Sequence, residues 1–546
     1  MKTHEVINQS TVLSGHNAAT LDTALCEGVH REGGKLHMED LARVGALAGD
    51  PEMIHAGDVV NRVTPELHTH DRFGNRVDRV EYHPDYHELM TIAVGEGLAG
   101  GAWIDERPAA HVGRAAKFAV WTQVEAGHGC PISMTYSIVP ALRAEPTVSK
   151  VWEPLLTSRT YDPEDRYAPG NGRAPKAGAI AGMAMTEKQG GSDVRANTTR
   201  AVPTGSSGPG EEYSITGHKW FCSAPMSDLF LMLANTDAGI SCFAVPRWLP
   251  DGTKNPIFIQ RLKDKLGNRS NASSEIEMEG ALGRLVGEEG RGISTILTMV
   301  NHTRLDCVIG TTGQMRAGLS QAIHHARHRS AFGRRLVEQP LMTNVLADLA
   351  IESEAATTLM TRLAGGYDRG EEAFTRIATA VGKYWTCKRN PMFMAEALEC
   401  LGGLGYIEEA PMARLFRESP VNGIWEGSGN VICLDVLRAA ARDPESLEAL
   451  LTEISSAAGA DARLDRAIDD LHSELADGEN LEMRARRIVE RAALALQGSL
   501  LVRYAPSLVA DTFCATRLGG DHGRAIGTLP PGTDTAAIID RAWPTD

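Results

Sequence analysis

Apolar residues return at helical spacing between Pro108 and Glu125, where Val112, Ala115, Ala116, Ala119 and Val120 fall near one face. Most of the first 180 residues read this way, as helices. A polar stretch rich in Pro, Gly and Arg, from Asp162 to Pro175, interrupts the pattern. After Gly182 the period shortens. Apolar runs bounded by turn residues follow at Glu212 to Thr216, Leu229 to Ala234, Ile240 to Val245 and Ile257 to Arg261, and Ser274 to Met278 alternates polar with apolar. Five or more short strands within about a hundred residues predict a small antiparallel sheet or barrel.

From Gly292 the helical pattern resumes over Thr295 to Gly310, Gly313 to His328, Pro340 to Tyr367 and Glu372 to Leu401, the last closed by a glycine-rich GGLGY. DPESLEALLTEI, beyond Arg442, opens a further helical region to about residue 503. The expected order is a helical domain at 1–182, a β domain at 183–288, a helical bundle at 289–440 and a helical extension at 441–546. The predicted fold class is mainly α with a central β-barrel domain.

Length agrees with several domains, since 546 residues exceed one core at about 100–200 residues per domain. With 42% hydrophobic and 23% charged residues the chain is globular rather than disordered. The formal charge of -15 argues against a surface that binds nucleic acid or anionic membrane everywhere, but leaves room for a local basic patch. Nine scattered cysteines, none in a CxxC spacing, predict reduced thiols rather than a disulfide framework or a zinc ribbon. The first residues carry no signal peptide, and no window approaches about 18 apolar residues, so the expectation is a cytoplasmic protein without membrane contact.

Three segments carry candidate chemistry. In Met183-Ala184-Met185-Thr186-Glu187-Lys188-Gln189-Gly190-Gly191-Ser192-Asp193, hydroxyls and glycines let backbone N–H groups approach a planar or anionic ligand, although such a turn is more often only a turn. In Gly217-His218-Lys219-Trp220-Phe221-Cys222-Ser223, Phe221 and Ser223 lie two apart and share one face of a strand. Core aromatic plus strand-end serine is the plainer reading. In Ile424-Trp425-Glu426-Gly427-Ser428-Gly429-Asn430, a carboxylate follows an aromatic at a helix start, and a carboxyl desolvated in this way can act as a base near neutrality. A first-turn glutamate favoured by the helix dipole is the alternative.

Together, over roughly Gly100 to Leu437, these segments resemble the acyl-CoA dehydrogenase family. Its TEPxxGSD stands here as Thr186 to Asp193, its GxKxWIT as Gly217 to Ser223, its K-L-G-x-R as Lys265 to Arg269, its RxxFG as Arg329 to Gly333, its GG-x-G-Y approach as Glu399 to Gly405, and its YEGT as Trp425 to Ser428. TEKQGGSD, IWEGSGN, the C-terminal extension and the length look like the AidB-like, alkylation-response branch.

The resemblance implies a helical–β–helical fold, bound FAD and a homotetramer. It sets Met183, Met185, Thr186 and Ser192 at the flavin, with Phe221 on the isoalloxazine, Cys222 beside it and Ser223 near N5. Ile424, Trp425, Gly427, Ser428 and Asn430 would line the same cofactor. Arg329, Gly402 and Gly403 would meet the pyrophosphate of a neighbouring subunit's FAD. Glu426 would remove the α-proton of a short or branched acyl-CoA thioester while the flavin accepts the β-hydride.

The chain departs from the family pattern at Lys188 and Gln189 (for Pro-Gly), at Phe221 (for Trp) and at Pro340 (for Gln, with Gln339 one residue early). The branch also implies DNA binding. Within Met483 to Arg524 seven arginines face three acids, and Arg484, Arg487 and Arg491 fall on one helix face, where they could meet the phosphates of double-stranded DNA. The competing reading is a solvated face paired with neighbouring acids. Two function classes follow: a working dehydrogenase, or a DNA-binding flavoprotein of the alkylation response with weak dehydrogenase chemistry. His324 and His328, one turn apart, lack a third ligand, so no metal is expected. His68 and His70 are expected in a surface loop.

Overall fold

The computed structural model describes residues 3–172 and 174–544, which form two compact units interleaved along the chain. The first draws on described residues within 52–106 and 125–303, the second on those within 3–51, 107–124 and 304–544.

Among the described residues the first unit holds nine strands; a further two-residue pair, Ser330–Ala331 with Arg334–Arg335, lies in the second. A hairpin of β1 (Glu66–His70) and β2 (Arg76–Glu81) turns at Asp71, whose carboxylate accepts from Phe73 N at 2.8 Å and Asn75 N at 2.9 Å. His68 and His70 therefore lie on a paired strand, not in a loop. The main sheet contains β3 (Ala181–Ala184), β4 (Arg200–Pro203), β5 (Glu212–Ser223), β6 (Leu229–Thr236), β7 (Gly239–Pro246), β8 (Ile257–Leu262) and β9 (Ser273–Leu285). β5 pairs with β4 and β9, β9 pairs with β7, and β7 returns to β6 from Leu229↔Pro246 to Thr236↔Gly239. With β6 touching β4 through Arg200↔Asn235, the circuit closes as a small barrel. Tyr213, Ile215, Phe230, Met232, Phe243, Val245, Ile276 and Met278 fill it. All five predicted strands are present. β3 and β4 escaped prediction because four residues each are too short to show a period.

The second unit is helical. Gly292–His328 is one helix of 37 residues, which belongs to this unit from Arg304 onward, where two helices were expected. Gly313 does not break it: a Cβ there would lie 2.1 Å from the carbonyl oxygen of Ala119, so the glycine admits a close crossing with Ala110–Thr122. Pro340–Asp368, Glu372–Glu399, Gly429–Arg442 and Leu481–Tyr504 complete the bundle. Leu501, Val509, Phe513 and Ile538 from the C-terminal region share one core with Met315, Leu346 and Phe393. Among the described residues no helix is long and apolar enough to cross a membrane, and the nine cysteines are free thiols.

Candidate active site

In the barrel unit, the two flavin-type segments are tied to each other. The main-chain N–H of Trp220 donates to the Thr186 carbonyl at 2.8 Å, and Asn197 Nδ2 donates to the Met185 carbonyl at 3.0 Å. Beneath them lies an ion pair. Lys219 and Glu187 are both inaccessible to solvent, with Nζ 2.9 Å from Oε1. Lys219 also donates to the Leu233 carbonyl at 2.7 Å, while Glu187 accepts from Thr198 N at 2.6 Å, Thr199 N at 3.2 Å and Gln189 Nε2 at 2.8 Å. Burial opposes the ionised carboxylate, but the Lys219 charge and these N–H donors outweigh it and hold Glu187 at a pKa of about 2. Burial draws the Lys219 pKa down.

This pair was missed in the sequence, although a lysine on the inward face of a strand is itself a signal that a partner is buried with it. Its effect is to fix what faces outward. Phe221 is 48% exposed, Cys222 is 1% exposed and points into the barrel, and Ser223 is half-buried, 3.4 Å from the Ser273 hydroxyl. Phe221 and Ser223 do share a face. Cys222 can offer only main-chain atoms, because its thiol lies in the core, where burial pushes its pKa up to about 12. Met183, Met185 and Thr186 are half-buried and Ser192 is exposed.

In the helical unit, Glu426 occupies the left-handed region at φ +57, followed by Gly427 at φ +102. Such a backbone is strained for glutamate and persists only when its surroundings fix it. They do so through three successive carbonyls. Lys383, buried within Glu372–Glu399, donates from Nζ to the carbonyls of Trp425 at 2.8 Å and Gly427 at 2.5 Å. Arg304 Nε donates to the Glu426 carbonyl at 3.1 Å. Arg304 is held in turn by Asp435 at 2.7 Å, which Arg376 also grips. Burial disfavours the Asp435 charge, yet these two guanidiniums keep its pKa below the usual carboxylate range. Trp425 Nε1 donates to Asn422 Oδ1 at 2.8 Å, and Asn422 donates to the Thr311 hydroxyl at 3.0 Å.

The result is a carboxylate on a rigid pedestal. Ile424, 65% exposed, and exposed Asn430 flank the turn, while Trp425, Gly427 and Ser428 are half-buried within it. Lys383 and Arg304 were also missed in the sequence; a lone lysine within the buried run 377–387 was the available signal.

Gly402, at φ +58, and Gly403 have open space where a Cβ would stand, so their backbone can be approached closely. Arg329 is half-buried and forms no ion pair among the described residues. Of the residues that the resemblance sets at a flavin, all but Cys222 keep some exposure, which fits contact with an extended planar and anionic cofactor.

The arginine stripe is engaged otherwise. Arg484 meets Glu474 at 2.7 Å and Asp477 at 3.3 Å, Arg487 meets Glu474 at 2.5 Å, and Arg491 meets Glu474 at 3.4 Å and Asp470 at 3.6 Å. This geometry favours the paired, solvated face over a phosphate-binding one. His324 Nε2 donates to the Thr11 carbonyl at 2.9 Å, and His328 caps its own helix turn on the His324 carbonyl.

Three family domains match the chain. Residues 8–163 match the adaptive response protein AidB N-terminal domain, 182–281 the acyl-CoA dehydrogenase middle domain and 290–441 the acyl-CoA dehydrogenase C-terminal domain. AidB of Escherichia coli strain K12 is 43% identical over 525 residues, 95% of either chain. The chain belongs to the acyl-CoA dehydrogenase family, in its AidB branch. The family is FAD-dependent, as the flavin-type segments imply. Acyl-CoA dehydrogenase family member 11 of Caenorhabditis elegans is 31% identical over 71% of this chain and 64% of its own. The solved structure of C. elegans ACDH-11 in complex with C11-CoA superposes with a TM-score of 0.84 at 25% identity, covering 97% of this chain and 96% of that one. The Bd2924 apo-form gives 0.82 at 27%, covering 92% and 100%. The expected helical–β–helical architecture is therefore that of the family.

Proposed function

We propose that this chain is an FAD-dependent dehydrogenase that introduces an α,β double bond into an acyl-CoA thioester, with Glu426 as the base. The observation that carries the reading is the Glu426 turn, whose three carbonyls are pinned by Lys383 and Arg304. A binding-only flavoprotein has no need to hold a glutamate in a strained, fixed conformation. The worm relative solved with C11-CoA supports the substrate class.

Bound FAD supplies the hydride acceptor for the β-hydrogen. Phe221 offers a flat, open ring for the isoalloxazine, Ser223 a hydroxyl for its N5 edge, and the residues from Met183 to Thr186 together with Ser192 the polar main chain and hydroxyl along it. Ile424, Trp425, Gly427, Ser428 and Asn430 shape the wall around the base. The Glu426 carboxylate would take the α-proton of the thioester. Arg329, Gly402 and Gly403 serve the pyrophosphate of a neighbouring copy's FAD within a tetramer, and the compartment is the cytoplasm.

The test is anaerobic bleaching of the flavin by a panel of CoA thioesters. Glu426→Gln keeps size and hydrogen-bonding atoms but cannot accept the proton, so reduction should slow by about 10²- to 10⁴-fold while thioester binding survives. Bleaching at the wild-type rate would remove Glu426 from the chemistry. The DNA-binding alternative loses its main support in the carboxylates that occupy Arg484, Arg487 and Arg491.

A further inference from the structure

Arg329 follows the last turn of Gly292–His328, its main-chain N–H donating to the His325 carbonyl at 2.9 Å. Two nearby arginines are neutralised, Arg327 by Asp540 at 3.2 Å and Arg335 by Glu338 at 3.2 Å. The Arg329 guanidinium instead donates from Nη1 to a neutral group, the main-chain carbonyl of Asn8, at 2.5 Å. That carbonyl is itself fixed. Asn8 adopts φ +56, a left-handed conformation that asparagine tolerates better than most residues. Its side chain closes a reciprocal pair on Ser330, donating from Nδ2 to the carbonyl at 2.9 Å and accepting from the N–H at 2.7 Å. Two residues on, the Ser10 hydroxyl pairs with His325 Nδ1 at 2.9 Å, and the Thr11 carbonyl accepts from His324 Nε2 at 2.9 Å.

We propose that residues 8–11 are a brace that sets Arg329 for an anionic group, the FAD pyrophosphate, and that Asn8 is a positioning residue of the cofactor site. This rests on the flavoprotein reading above. A guanidinium held by a carboxylate would have its charge spent. One held by a carbonyl has its rotamer fixed while its charge and remaining N–H groups stay available for a bidentate contact with phosphate. Among the described residues this guanidinium makes no ion pair and no second side-chain hydrogen bond.

The experiment is a double-mutant cycle on the dissociation constant of FAD, followed by flavin fluorescence, with Asn8→Gly, Arg329→Gln and the double variant. Asn8→Gly preserves the left-handed backbone and removes only the Ser330 clasp. It should raise the FAD Kd by about tenfold, the worth of one to two hydrogen bonds. Asn8→Asp, which keeps the acceptor but sets a carboxylate beside the guanidinium, should weaken FAD at least as much. The double variant should bind no more weakly than Arg329→Gln alone, since the brace acts through that residue. An unchanged Kd in Asn8→Gly overturns the proposal. So does an equal loss with and without Arg329, because that marks a general structural role. A wild-type protein that takes up no FAD defeats the flavoprotein reading itself, and the brace with it, a result distinct from the other two.

Discussion

Lys383→Met keeps the length of the side chain and removes the charge that clasps the Glu426 turn. Two hydrogen bonds from the ammonium are lost, to the Trp425 carbonyl at 2.8 Å and the Gly427 carbonyl at 2.5 Å. Each bond from a charged donor is worth roughly 1.5–3 kcal/mol, and methionine regains part of this because no ammonium is then buried, so the expected net loss is about 2–3 kcal/mol. That exceeds the ~1 kcal/mol needed to hold a glutamate in the left-handed region, so the turn relaxes even though Arg304 still holds the Glu426 carbonyl at 3.1 Å. A base displaced by about 1 Å loses about 10²-fold in rate. Stopped-flow flavin reduction should therefore slow about 100-fold, with thioester affinity changed by no more than about threefold, because the interaction lost belongs to proton transfer. A Lys383→Met protein with full FAD content that reduces its flavin within about twofold of wild type would refute the pedestal argument.

Gly427→Ala should act on the same turn by another route. At φ +102 a side chain is strained, its Cβ 3.0 Å from Ile432 Cδ1, so a loss of about 1–3 kcal/mol should appear in thermal denaturation together with slower flavin reduction. Glu187, whose pKa falls from 4.5 to about 2 on folding, stabilises the barrel unit above pH 4.5 and withdraws that contribution as pH drops toward 2. Acid unfolding of Glu187→Gln should lack this component, and Lys219→Met should lower stability by about 3–5 kcal/mol by leaving a buried carboxylate unpaired. Arg487→Gln, at a position 61% exposed but bound to Glu474, should leave both the affinity and the salt slope of duplex DNA binding unchanged at low salt. The purified protein should be yellow, with about one FAD per chain by absorbance after release.

Much of this architecture was written in local patterns. The alternation around Phe221 and Ser223 put the aromatic and the hydroxyl on one face, and both keep some exposure while the Cys222 thiol between them is buried. The Leu229 and Ile240 runs became β6 and β7 at nearly the expected bounds. What local pattern could not supply were partners distant in sequence. Lys219 and Glu187 are 32 residues apart, and Arg304 lies 122 residues from the carbonyl it holds. The helix Gly292–His328 was expected as two, Thr295 to Gly310 and Gly313 to His328, whereas it runs through and Gly313 answers to the neighbouring Ala119 backbone. The arginine stripe showed its period, but not that Glu474 on the preceding helix would collect all three charges.

The unbroken helix Gly292–His328 carries a metrical constraint. Arg304, which steadies the Glu426 turn, and Arg329, just past its end, are 25 residues apart, a rise of about 37 Å and a rotation within about 20° of whole turns. The two guanidiniums therefore leave the rod on nearly the same side. A one-residue insertion between them would swing one by about 100° against the other and advance it about 1.5 Å, whatever the inserted residue. Substitutions along this stretch can be absorbed one at a time by repacking; a change in its length cannot. The helix acts as a ruler with two marks, and its residue count fixes the relation between the two arginines as firmly as their identity fixes their charge.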